Sequence, residues 1–168
     1  TGDNQLLPVI IKSILKRGFK IILSGINAEE KKTLLQSIPD LKNRSLIKPL
    51  IQAEKVLDHC QLSVCHGGSG TVYQSLSHGI PVLCFPKNPD QSLVSMALVE
   101  KNLGRYLSSK NITPSNIEKM LMDCLSNDIL KQNAFNYGKK MQIWHTEKRW
   151  LQFLNKFKTA RKSIKVIA

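Results

Sequence analysis

A histidine followed by a run of small residues, His66-Gly67-Gly68-Ser69-Gly70-Thr71, is the segment of this chain best suited to hold an anion. Glycines let the main chain approach a ligand closely. A helix opening after such a turn presents unpaired N–H groups and the positive end of its dipole. A diphosphate suits those groups, and the His66 ring and the Thr71 hydroxyl add side-chain hydrogen bonds beside them. The segment lacks the Gly-Lys-Ser/Thr ending of a P-loop, and it is not GxGxxG. Taken alone, a glycine-rich turn between strand and helix is equally a packing device. Gln74 follows Thr71 by one helical turn and faces the same side. Asp90-Gln91 sets a carboxylate acceptor beside an amide, which is suitable chemistry for reading the hydroxyls of a polyol.

Helical and strand patterns alternate around these residues. Leu6, Leu7, Ile10, Ile11, Ile14 and Leu15 recur with helical spacing up to Gly18, and residues 19–23 read as a short buried strand. A helix is expected over 28–37, stopped by Pro39, and a strand over 44–48. The strand at 62–65 runs directly into His66, and a helix follows over 71–78, ended by Gly79. Further strands are expected over 81–85 and 105–107, with a helix over 92–101 between them. Thr113-Pro114 reads as a cap followed by the first helical residue. Helical patterning then continues to about residue 157, with a break expected near Gly138. This alternation predicts an α/β fold built on a doubly wound, Rossmann-like parallel sheet. Ligands of such sheets bind beyond the carboxyl ends of the strands, where residues 24–27, 66–71 and 86–91 all fall.

The chain has 168 residues and is 42% hydrophobic, within the range of a globular α/β domain. No apolar run has the length of a membrane-spanning helix. Cys60, Cys65, Cys84 and Cys124 form no CxxC pair and read as free thiols in a reducing, cytoplasmic setting, and no metal site is expected. The net charge of +13 is uneven, because residues 131–168 carry ten Lys/Arg against Glu147 alone. That basic end is a candidate for peripheral contact with an anionic membrane or an acidic partner, or is simply a solvated face. No RNA-binding or helix-turn-helix signature supports nucleic acid.

The ordered set HGGSGT, two residues, Gln, four residues, Gly79-Ile80-Pro81, four residues, Pro86, three residues, Asp90-Gln91 resembles the donor-binding signature of the family 1 glycosyltransferases. That family includes UDP-glucuronosyl-, sterol- and antibiotic-glycosylating enzymes. The resemblance is specific over residues 52–107 and implies the C-terminal half of a GT-B fold, with residues 1–168 as a nucleotide-sugar-binding domain. It implies that His66, Gly68, Ser69, Gly70 and Thr71 hold the diphosphate, and that Asp90 and Gln91 hold the sugar. Two departures stand out. Gln74, the expected ribose contact, occupies the position of a ribose-binding glutamate, and an aromatic-free segment, with Leu50 and Ile51 as candidate base contacts through backbone groups, precedes the motif. The resemblance implies a nucleotide diphosphate sugar as donor, a UDP-sugar first and a TDP-sugar as the alternative, with no cofactor or metal expected.

In GT-B enzymes the acceptor pocket and the general base lie on a separate N-terminal domain, which the resemblance does not cover. This chain is thus expected to be inactive alone and to need that domain, or a partner subunit of a split transferase. A non-catalytic binding domain is a further alternative, and a nucleotide-sugar epimerase a weaker one. Thr1-Gly2-Asp3 reads as the tail of a loop after the domain's first strand. His78 and His145 show no acid partner in the sequence. The segment from about 140 to 168 is expected to be helical. It carries Trp144, Trp150, Leu151, Phe153, Leu154 and Phe157, so part of an apolar face is expected to be exposed and prone to self-association.

Overall fold

A computed structural model describes residues 3–143 and 146–161. The element order is α1 (Asp3–Lys16), β1 (Ile21–Ser24), α2 (Ala28–Ser37), α3 (Leu41–Arg44), β2 (Ser45–Lys48), β3 (Ser63–Cys65), α4 (Ser69–Ser77), β4 (Val82–Cys84), α5 (Pro89–Glu100), β5 (Gly104–Tyr106), α6 (Pro114–Ser126), α7 (Asp128–Ile143) and α8 (Thr146–Arg161). Short 3-10 turns occupy Ala53–Lys55, Leu57–His59 and Ser109–Asn111.

Every strand pairing is parallel, as the alternation of elements requires. β4 is buried throughout, and its side chains alternate between two helical layers. Leu83 packs with Ile10, Ile117 and Leu121 under α1 and α6. Val82 and Cys84 face the other way, into a cluster with Val72, Leu76, Leu98 and Ala134 under α4, α5 and α7. A third cluster joins Ile11 and Leu15 of α1 to Ile21, Leu34, Leu41 and Ile47 around β1 and β2. Arg44 locks that corner by donating to the carbonyls of Leu15 at 2.8 Å and Phe19 at 2.7 Å.

The expected sheet is divided. β1 pairs with β2, and β3-β4-β5 form a separate ladder. A groove of about 640 Å³ lies between the halves, lined by Ile21, Leu23, Leu62 and Val64 with Ile10 and Leu121.

Several boundaries move for local reasons. Asp3 opens α1 rather than closing a loop. α4 begins at Ser69 and α5 at Pro89, earlier than their apolar periodicity suggests, because Gly68 and Asn88 serve as N-caps and Pro89 takes the first helical position. The break expected near Gly138 is instead at Asn127, which ends α6 and whose Oδ1 accepts from the Leu130 N–H of α7 at 3.0 Å. Gly138 lies inside α7, where a β-carbon would come within 2.6 Å of the Leu76 carbonyl oxygen and 2.8 Å of the Gly79 nitrogen. It is the point at which α7 crosses the end of α4, so the glycine serves close packing and not termination.

On α8, Trp150, Leu151, Phe153 and Leu154 are exposed, and the rings of Trp150 and Phe153 stack with centroids 5.5 Å apart. Trp144 lies outside the described residues, as does the side chain of Phe157.

Candidate functional site

β3 delivers the chain to the carboxyl edge of the sheet, where the glycine-rich turn begins. Gly67 takes φ +87° and is buried against the first turns of α5. Gly68 then caps α4 with no side-chain hydrogen bond, and its carbonyl accepts from the Val72 N–H at 3.1 Å. The N–H groups of Ser69, Gly70 and Thr71 have no place in the helix ladder, and all three residues are exposed. In four other helices a first-turn amide is met by a side chain: Asn27 caps α2, Asn88 caps α5, Thr113 caps α6 and Asn127 caps α7.

The surroundings of this turn fit a ligand coming from outside. A β-carbon on Gly70 would meet nothing within 4 Å, so packing does not demand glycine there. The His66 ring folds over the turn, and a β-carbon on Gly68 would lie 3.1 Å from Nε2. Behind the turn the helix is anchored by buried Val72 and Leu76, and by Ser75 Oγ donating to the Thr71 carbonyl at 2.8 Å.

Beneath it, Cys65 and Cys84 face each other in register at the ends of β3 and β4. The hydrogen bond from Cys84 holds the Cys65 thiol below its ordinary range, burial opposes this, and the Gly67 N–H donates to Cys65 Sγ at 3.3 Å. The same contact and burial push Cys84 upward. The four cysteines are free, with Cys84 and Cys124 buried.

Asp90 and Gln91 occupy the first turn of α5 rather than a loop, which brings them to the Gly67 side of the site. Asp90 is exposed. Gln91 Oε1 accepts from the Lys87 N–H at 2.8 Å, so its carbonyl oxygen steadies the preceding turn.

The segment expected to meet the base follows β2. Leu50 is 82% exposed. The Ile51 N–H donates to Ser24 Oγ at 3.1 Å, which removes that group from those open to a base. The Gly25 N–H donates to the Pro49 carbonyl at 3.0 Å, stitching the loops after β1 and β2 together. Asn27, in the first of the expected ligand loops, is occupied by its capping box with Glu30.

Gln74 has a partner that nothing in the spacing announced. Its Nε2 donates to Glu54 Oε1 at 2.6 Å, joining α4 to the 3-10 turn after the base segment. Sequence reasoning missed Glu54 because it stands in an unremarkable polar stretch 20 residues upstream.

His78 corrects another expectation. Its Nδ1 lies 2.7 Å from Asp58 Oδ1, so it does have an acid partner, at the end of α4 remote from the glycine turn. His145 lies outside the described residues. Among the described residues no group of three or more His, Cys, Asp or Glu side chains is placed to hold a metal ion, and no helix is long and apolar enough to cross a membrane.

Residues 16–143 match the family described as erythromycin biosynthesis protein CIII-like, C-terminal domain. The chain belongs to this family. The CIII-like match covers all the site residues above, and it agrees with the glycosyltransferase signature and GT-B fold that the motif implied. Among curated relatives, demethyllactenocin mycarosyltransferase of Streptomyces fradiae is 26% identical over 92 residues, which is 55% of this chain and 20% of that protein. Among solved structures, the glycosyltransferase VinC in complex with DTDP superposes with a TM-score of 0.68 at 20% identity, over 79% of this chain and 32% of that one. Os79 from O. sativa, in complex with UDP and deoxynivalenol-3-glucoside, gives a TM-score of 0.72 at 21% identity, over 83% and 34%. The chain spans 20 to 30% of the length of the first curated relatives it matches.

Proposed function

We propose that this CIII-like domain grips the diphosphate of a nucleotide sugar and presents its sugar for transfer to an acceptor hydroxyl. The observation that carries this reading is the uncapped start of α4, where three exposed residues bring N–H groups outside the helix ladder beside the His66 ring and a glycine that the fold itself does not require. Backbone amides and the helix dipole meet the charge that builds on the departing diphosphate, and they do so without metal coordination. His66, Gly68, Ser69, Gly70 and Thr71 hold the diphosphate. Asp90 and the Gln91 amide read the sugar, and the base lies over Leu50 and Ile51.

Attack by the acceptor hydroxyl needs a base within reach of its proton, which on this reading comes from a second domain or a partner subunit. The complexes of VinC with DTDP and of Os79 with UDP support either nucleotide diphosphate as the carrier of the donor sugar. Calorimetric titration with UDP tests the proposal. Binding is expected for the wild type, and His66→Ala should weaken it by about 1–3 kcal/mol, the range for a hydrogen bond to a charged group. A wild-type chain that gives no heat with UDP or TDP would point to a degenerate, non-binding domain.

A further inference from the structure

Gln74 on the motif helix, the expected ribose contact, carries no charge of its own, but a carboxylate lies against it. Glu54 reaches it from a different element, the turn Ala53–Lys55, and its Oε1 accepts from Gln74 Nε2 at 2.6 Å. We propose that Glu54, held by Gln74, is the residue that reads the ribose diol and selects a ribonucleoside diphosphate sugar over a 2′-deoxy one.

Position supports the assignment. Glu54 stands three residues after Ile51 of the base segment, and Gln74 stands three residues after Thr71 of the diphosphate turn. Their hydrogen bond therefore bridges the base and diphosphate subsites, and the ribose of any nucleotide lies between its base and its phosphates. Exposure supports it as well, since Glu54 is exposed and Gln74 half-buried, so the pair is open to a ligand while its inner member is held by the helix.

The hydrogen bond also fixes the chemistry of the pair. A carboxylate only accepts, so the Gln74 amide must turn its nitrogen toward Glu54 and its Oε1 away. What remains is a row of acceptors, Glu54 Oε2 and Gln74 Oε1, with one full negative charge. A vicinal diol offers two O–H donors to such a row, and the hydrogen bond to the ionised oxygen is the stronger. A deoxyribose offers one. The glutamine thus orients the charge that a glutamate at its own position would carry.

This inference rests on the nucleotide-sugar reading of the site, and the experiment separates the two. UDP and 2′-deoxy-UDP are titrated into the 168-residue chain, its Glu54→Gln variant and the Glu54→Gln/Gln74→Glu double variant, with thermal melting as a check on folding. The wild type should prefer UDP by about tenfold or more, the equivalent of one charge-assisted hydrogen bond. Glu54→Gln should lose most of that preference, with affinity for UDP falling further than affinity for 2′-deoxy-UDP, and the double variant, which moves the charge onto α4, should regain it. Equal binding of the two nucleotides by the wild type, or an undiminished preference in Glu54→Gln, overturns the assignment and leaves the nucleotide site standing. A wild type that binds neither nucleotide overturns both.

Discussion

A β-carbon placed on Gly67 would lie 2.7 Å from the hydroxyl of Ser95, a fully buried serine one turn into α5 from Gln91. The same carbon would lie 3.0 Å from the Gln91 carbonyl oxygen, which already accepts from Ser95 Oγ at 2.7 Å. The glycine turn and the Asp90-Gln91 turn are thus packed against each other, and this contact sets the spacing between the turns proposed to hold diphosphate and sugar.

Two neighbouring glycines should therefore behave differently on substitution. Gly67→Ala combines a left-handed backbone with a clash against α5, and should lower stability by about 2 kcal/mol or more. Gly70→Ala meets open space, so its thermal midpoint should stay near that of the wild type while UDP affinity falls, because the methyl group stands where the ligand approaches. Chemical denaturation and calorimetry on both variants check this, and unchanged UDP affinity in Gly70→Ala would place the diphosphate elsewhere.

Asp90 and Gln91 should separate by the work each already does. Asp90→Asn should weaken UDP-glucose binding but hardly alter UDP binding. Gln91→Ala also removes the acceptor for the Lys87 N–H, so it should lower stability by about 1 kcal/mol as well as weakening UDP-glucose. Parallel titrations with UDP and UDP-glucose distinguish the two, and an Asp90→Asn variant that loses both ligands equally would remove Asp90 from the sugar subsite.

Gly138→Ala should destabilise the domain by about 1–3 kcal/mol, since α7 cannot approach the end of α4 past a methyl group 2.6 Å from the Leu76 carbonyl oxygen. A helix-propensity argument alone gives the opposite sign, because alanine is the better helix former by about 1 kcal/mol. Urea denaturation decides between them by the direction of the midpoint shift.

Burial, the largest influence on Cys124, pushes its thiol up to about 12. The folded thiol then keeps its proton over a range in which the unfolded one, with an ordinary value of 9.0, has lost it. A raised value in the folded state contributes stability that is complete below about pH 9 and is lost as pH rises toward 12, by up to about 1.4 kcal/mol per pH unit. Cys124→Ala should remove that part of the slope, so the stability gap between wild type and variant should narrow from pH 8 to pH 10.5. A gap that stays constant would mean that the buried thiol titrates normally.

The amino-acid sequence by itself determined whatever depends on neighbours along the chain. The span of α2, the Thr113-Pro114 start of α6, the strand cores and the glycine turn after β3 all follow from caps, periodicity and small-residue spacing, which act within a turn or two of helix. The ordered motif from His66 to Gln91 indicated the family for the same reason, since it is contiguous. Tertiary structure alone decided the rest. Gly138 carries the same local signal whether it ends a helix or lets one pass close to another, and only the crossing of α7 over α4 distinguishes the two. Glu54 becomes part of the site through one hydrogen bond to a residue on another element, and no periodicity records such a meeting. The division of the sheet likewise appears only in which strands pair, because no strand's own residues record its partner.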